Sequence, residues 1–118
     1  MSQNLGREAR RSRRHRLPGS PAVYDLLAER VLGRAIDMSA GGLKLLVAEA
    51  LPEDTLYQVR FDLDLGEASR VPIVAGIQVL DARLDEDGLL CTGARFIHLE
   101  GVHARRLVQW LRLQAESE

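Results

Sequence analysis

Apolar and polar positions alternate along most of the chain, and the period changes only near its end. The clearest strand is Leu56 to Leu65, with Tyr57, Val59, Phe61, Leu63 and Leu65 on one face and Gln58, Arg60, Asp62 and Asp64 on the other. Ala22 to Leu27 and Arg30 to Ile36 are short apolar segments joined at Ala28-Glu29, and Leu43, Leu45 and Val47 alternate with Lys44 and Leu46. Val71 to Leu84 is long and β-rich, and Gly76 within it predicts a bulge or a close backbone approach. Asp85-Glu86-Asp87-Gly88 reads as a hairpin turn, because Asp-Gly tolerates positive φ, and Leu89 to Ile97 returns as the last strand. After it Ala104, Leu107, Val108 and Leu111 recur at helical spacing, flanked by Trp110, which is expected to pack the helix onto the sheet. Six strands with turn signals at this spacing, followed by one amphipathic helix, predict a mainly β protein: a small antiparallel barrel that closes its own edges, covered on one side by the helix.

The first sixteen residues break this pattern. They hold one large aliphatic residue, Leu5, and six of the sixteen Lys and Arg residues of the chain, all six of them Arg. Pro18, Gly19 and Pro21 punctuate the boundary between this segment and the first apolar run. The division expected is a flexible Arg-rich arm over residues 1–16 and a folded body over 17–118. The formal net charge of −1 therefore hides an asymmetry: the arm carries six Arg and one Glu, and the body ten basic and sixteen acidic side chains. An acidic body argues against a nucleic-acid binder with a broad basic face. No apolar run reaches the roughly 20 residues of a membrane helix, so no membrane insertion is expected. A lone cysteine, Cys91, and a basic N-terminus with no apolar stretch after it point to the cytoplasm.

Two short motifs carry candidate chemistry. Asp37-Met38-Ser39-Ala40-Gly41-Gly42 puts a carboxylate, a hydroxyl and two glycines into one turn. Most such turns are strand connectors, stabilised by Asp and Ser side chains that bond nearby backbone N–H groups. The same atoms can bind: a carboxylate matches the two adjacent N–H donors on the N1/N2 edge of guanine, and glycines leave room for a base or phosphate. In the arm, Arg10 and Arg14 form an Arg-x-x-x-Arg pair, about 13 Å apart in an extended chain at roughly 3.3 Å per residue. Arg7 and Arg11 share that spacing. Arginine offers a planar fork to phosphate and a flat face to a base.

Arg-x-x-x-Arg, a first strand, then Asp-x-Ser-x-x-Gly some two dozen residues on resembles the PilZ domain family. The stretch Asp87-Gly88-Leu89-Leu90-Cys91-Thr92-Gly93-Ala94-Arg95-Phe96 followed by an amphipathic helix resembles it too, so the likeness spans residues 7–114. It implies a six-stranded antiparallel PilZ-type β-barrel with a C-terminal α-helix. It also implies binding of cyclic di-GMP under a flexible N-terminal arm that closes over the nucleotide. By the resemblance, Arg10 and Arg14 contact phosphates and stack on guanine faces, with Arg11 and Arg13 between them neutralising phosphate. Asp37 and Ser39 read guanine beside Gly41, and Gly42 is the terminal glycine of the motif. With no output domain in 118 residues, a downstream protein would take the signal, and motility, chemotaxis or exopolysaccharide machinery is what the family suggests.

No enzymatic activity, cofactor or metal is expected. Gly-x-Ser-x-Gly, a Walker-type loop and a Rossmann fingerprint are all missing. His15, His98 and His103 have no metal-type spacing with Cys91. Two other readings remain: a PilZ-like protein-interaction adaptor that binds no nucleotide, and a nucleic-acid binder that uses the basic arm.

Overall fold

The computed structural model describes residues 13–66 and 69–117. Seven strands and one helix succeed one another: β1 (His15–Arg16), β2 (Ala22–Asp25), β3 (Arg30–Met38), β4 (Gly42–Leu46), β5 (Leu56–Asp64), β6 (Arg70–Leu84), β7 (Leu90–His98) and α1 (Gly101–Glu116). All strand pairs are antiparallel. β3 pairs with β2 along one edge and β4 along the other, so the ring β3-β2-β5-β6-β7-β4 closes into the six-stranded barrel expected from the alternation. Closure leaves no long unpaired edge in the ring.

The alternation of β5 is realised residue by residue. Val59, Phe61 and Leu63 are almost wholly buried, while Gln58, Arg60 and Asp64 face out. β6 is long because it serves two partners: its first part pairs with β5 and its last part with β7. Its register against β7 shifts at Gly76/Ile77, where the extra residue is Ile97 on β7, and Gly76 marks a close approach: a Cβ there would stand 3.0 Å from His98 Cβ. Val23, Ala35, Met38, Leu43, Leu45, Ile73, Ile77, Val79 and Ala94 complete the interior.

The β2–β3 connection is longer than the Ala28-Glu29 link expected from the sequence and runs over residues 26–29. β2 ends at Asp25 rather than Leu27, because the buried Asp25 carboxylate accepts the N–H groups of Leu27 and Ala28 at 3.0 and 3.1 Å and turns the chain. Glu29 completes the turn at φ 54.

Helix α1 seats on the barrel through Leu107 and Trp110, both buried in the common core. Two polar links fix its register on β6. Val74 N–H donates to His103 Nδ1 at 3.2 Å, and the Arg106 guanidinium donates to the Pro72 carbonyl at 2.9 Å. β1 is a strand outside the six expected. In it His15 pairs with Met38 and Arg16 with Asp37. β1 and β2 thus lie end to end along the same edge of β3, interrupted at residues 17–21, where Leu17 is buried and its N–H donates to the Ile36 carbonyl at 3.0 Å.

Candidate functional site

The site grows from a bulge and a tight turn at the end of β3. Ala35 pairs with Leu45 and Asp37 with Lys44, so Ile36 is one residue too many for its partner strand. A bulge of this kind bends the strand and re-aims the side chain after it. Ala35 and Met38 on either side are fully buried, and the Asp37 carboxylate reaches the surface. The chain then reverses between Ser39 and Gly42, with Ser39 N–H donating to the Gly42 carbonyl at 2.9 Å.

Strand β1 delivers the arm to this carboxylate. Because Arg16 lies opposite Asp37, Arg14 sits just past the end of β3, beside the turn. Its guanidinium donates to Asp37 Oδ1 at 2.7 Å, with the two side chains 50% and 25% exposed. An ion pair this open to water contributes about 0–1 kcal/mol to stability. Fold stability therefore does not account for a carboxylate and a guanidinium held together here. Both groups keep hydrogen-bonding capacity that a ligand can use.

The other motif residues already have work in the fold. Ser39 is buried, and its Oγ accepts the Gly41 N–H at 3.2 Å, closing the turn. Gly42 pairs with Arg95, and a Cβ there would stand 2.1 Å from the Ala94 carbonyl oxygen and 2.9 Å from Arg95 Cα. Its glycine is thus required by the β4–β7 pairing whatever binds above it. Gly41 is exposed at the tip, and its carbonyl accepts the Phe96 N–H at 2.8 Å. Arg13 is exposed next to Arg14. Arg10 and Arg11 lie outside the described residues, as does Arg7.

Sequence reasoning missed the residues that register brings in from other strands. Reading across the barrel, Arg16 on β1, Asp37 on β3, Lys44 on β4 and Gly93 on β7 are successive partners. Asp37 thus stands between two further cations, Arg16 and Lys44, and the patch is basic on an acidic body. Beyond Gly93 comes Asp81 on β6. A Cβ on Gly93 would sit 3.0 Å from Asp81 Oδ1, which accepts the Gly93 N–H at 3.1 Å. The Arg83 guanidinium bonds Asp81 Oδ2, and that bond, the Gly93 N–H and the charges of Arg83 and Arg14 hold the Asp81 carboxyl below the ordinary aspartate range. Lys44 was legible as an outward residue of an alternating strand. Its place beside Asp37 was not, since the intervening bulge carries no glycine to mark it.

A PilZ domain profile matches residues 8–113, nearly the whole chain. The chain belongs to the PilZ domain family. The PilZ barrel described above is similar in fold to the PilZ domain with c-di-GMP of YcgR from Escherichia coli. That likeness has 19% identity and a TM-score of 0.60, over 91% of this chain and 92% of that one. It is also similar to the Bacillus subtilis inhibitor of motility MotI/DgrA, at 14% identity and a TM-score of 0.73. There it covers 89% of this chain and 51% of that one, so this PilZ domain spans about half the length of that protein. No curated protein matches the chain in sequence.

Among the described residues no helix is long and apolar enough to cross a membrane. Nor does any group of three or more His, Cys, Asp or Glu among them come together as a metal site would.

Proposed function

We propose that this PilZ domain is a receptor for cyclic di-GMP that closes its Arg-rich arm over the nucleotide and passes the signal to a second protein. The observation that carries the proposal is the Arg14–Asp37 pair. β1 brings an arginine of the Arg-x-x-x-Arg motif within 2.7 Å of the carboxylate of the Asp-x-Ser-x-x-Gly turn, in an exposed position where the pair adds little stability.

The mechanism rests on the chemistry of these groups. In the free protein Arg14 occupies one oxygen of Asp37. A guanine edge offers two N–H donors to the same carboxylate, and a phosphodiester offers Arg14 an anion better matched to its planar fork. Binding exchanges one exposed ion pair for a base–carboxylate and a phosphate–guanidinium contact. Arg16 and Lys44 add positive potential at the phosphates. Arg10, Arg11 and Arg13 supply the remaining cations of the arm, at the cost of ordering that segment. No step breaks a covalent bond in the ligand, and the domain acts as a receptor, not an enzyme.

A second reading has one observation in its favour. Ser39 and Gly42 are explained by the turn and by the β4–β7 pairing alone, so their presence is compatible with an adaptor that binds no nucleotide and acts by protein contact. The two readings part at Arg14 and Asp37. An NMR titration of the ¹⁵N-labelled protein tests them: cyclic di-GMP should shift the amides of residues 13–16 and 37–42 and leave the Asp85–Gly88 turn unmoved. Shifts absent at saturating nucleotide favour the adaptor. Equal shifts with single-stranded RNA or DNA favour the nucleic-acid reading.

A further inference from the structure

On the side of the barrel where β1 leads into β2, a cleft of about 740 Å³ opens between residues 17–21, the end of β5 and the last turns of α1. That volume lies within the range of sites that enclose a ligand or an anchoring side chain, roughly 300–1,000 Å³. Its floor is apolar: Leu17 and Trp110 are buried beneath it, and Leu65 and Leu113 are half-exposed along it.

The rim is acidic. Among the described residues, Asp62, Asp64 and Glu116 border the cleft against one cation, Arg70. The carboxylates keep capacity to accept. Asp62 meets Arg60 at a loose 3.9 Å, and Asp64 uses one oxygen for the Gly66 N–H at 2.8 Å. A second source of negative potential is independent of these side chains. Helix α1 runs sixteen residues and ends at this cleft, with Gln114, Glu116 and Ser117 among the lining residues. The carbonyl end of a helix carries about half a negative elementary charge. Helices usually offset it with Lys, Arg or His in the last turn, and α1 has no basic residue there.

We infer that this cleft is the docking site for a partner protein, and that it takes a basic segment in which Arg or Lys flanks a large apolar side chain. The apolar side chain fills the floor against Leu65 and Leu113. The cations meet Asp62, Asp64, Glu116 and the helix carbonyls, which arginine can fork with several donors at once. Arginine and aromatic residues are also the side chains most enriched at the centres of protein interfaces. Docking is a property of the barrel itself and does not depend on the nucleotide reading. The cleft does share a segment with the candidate nucleotide site, since Leu17 in its wall is three residues from Arg14.

The test uses the full chain without nucleotide, ¹⁵N-labelled, titrated with a short synthetic peptide carrying arginines around one phenylalanine. An acidic counterpart, with glutamate for each arginine, is the control. The basic peptide should shift the amides of residues 62–66 and 110–116 and the Trp110 indole N–H. Its affinity should fall about tenfold in the double variant Asp62→Asn/Glu116→Gln, as for loss of complementary interface charges. The variant Glu86→Gln/Asp87→Asn, in the acidic hairpin turn, should bind like wild type. Both substitutions in each variant are at the surface and leave the core intact. Shifts centred on Asp85–Gly88, or equal binding of the acidic peptide, would overturn the proposal. So would a chain lacking residues 1–12 whose cleft resonances move with no peptide added, because the chain's own arm would then be the occupant.

Discussion

Replacing Gly42 by alanine separates the fold role of the motif glycine from any role in binding. The added Cβ would lie 2.1 Å from the Ala94 carbonyl oxygen, where an ordinary contact begins at 3.4 Å. The obstacle is backbone on a paired strand, which has no rotamer to escape into. β4 must move away from β7, weakening the Gly42–Arg95 pairing and the Phe96 N–H to Gly41 carbonyl bond of 2.8 Å next to it. Overpacking of this kind costs about 1–3 kcal/mol, and each strained hydrogen bond about 1 kcal/mol more. The expected destabilisation is about 2–4 kcal/mol. For a chain of 118 residues, an unfolding entropy of about 2.1 cal/mol/K per residue converts each kcal/mol into about 4 °C. Gly42→Ala should therefore lower Tm by about 8–16 °C in a thermal melt followed by circular dichroism. Asp37→Ala, which removes only an exposed pair, should stay within about 4 °C of wild type. A Gly42→Ala protein that melts with wild type would refute the argument, and would return this glycine to the ligand.

Arg14→Ala should change stability by less than about 1 kcal/mol and weaken cyclic di-GMP binding by about 1–3 kcal/mol, the range for hydrogen bonds to charged groups; a large loss of stability with unchanged affinity would contradict both statements. The Asp81 carboxyl should titrate below the usual aspartate value of about 3.9 by carboxyl-carbon NMR, and Arg83→Ala should raise it, because Arg83 is the largest cause of its depression. The consequence for stability has a definite sign. A carboxylate held low when folded contributes above the unfolded pKa, and its contribution is lost as pH falls through the folded one. The acid-unfolding midpoint of Arg83→Ala should thus shift upward, and an unmoved midpoint would remove Asp81 from the account. Trp110, the only tryptophan, meets the His15 ring edge-on at a centroid distance of 6.3 Å, so a shift of residues 13–16 around a nucleotide should change its fluorescence; His15→Ala should abolish the change while binding persists by calorimetry.

The ring of the barrel was legible because each strand announces itself over several residues. β5 alternates from Tyr57 to Asp64, the Asp85–Gly88 turn carries its own chemistry, and the helix changes the period. β1 was not legible. Two polar residues, His15 and Arg16, have no apolar pattern, and what makes them a strand is the edge of β3 offering its N–H and C=O groups. The Ile36 bulge was hidden for a related reason: a branched aliphatic residue gives no local sign that its partner strand is one residue short. The site splits along the same line. Asp37, Ser39 and the glycines could be picked out as neighbours in sequence. Lys44, Arg16 and Gly93 join them only through register, and the burial of Ser39 depends on how the turn sits over the end of the barrel. Gly42 shows the limit most plainly. A glycine that reads as room for a ligand has its space taken by the carbonyl of Ala94, on a strand some fifty residues away.

The central claim is that Asp37 and Arg14 form one nucleotide site. Isothermal titration of cyclic di-GMP into tens of micromolar protein tests it most directly, with cyclic di-AMP as the control that lacks the guanine donor edge. The account predicts a stoichiometric heat with cyclic di-GMP only, strongly reduced in Asp37→Ala and in Arg14→Ala. No heat in the wild type, or equal heats for both nucleotides, would contradict it.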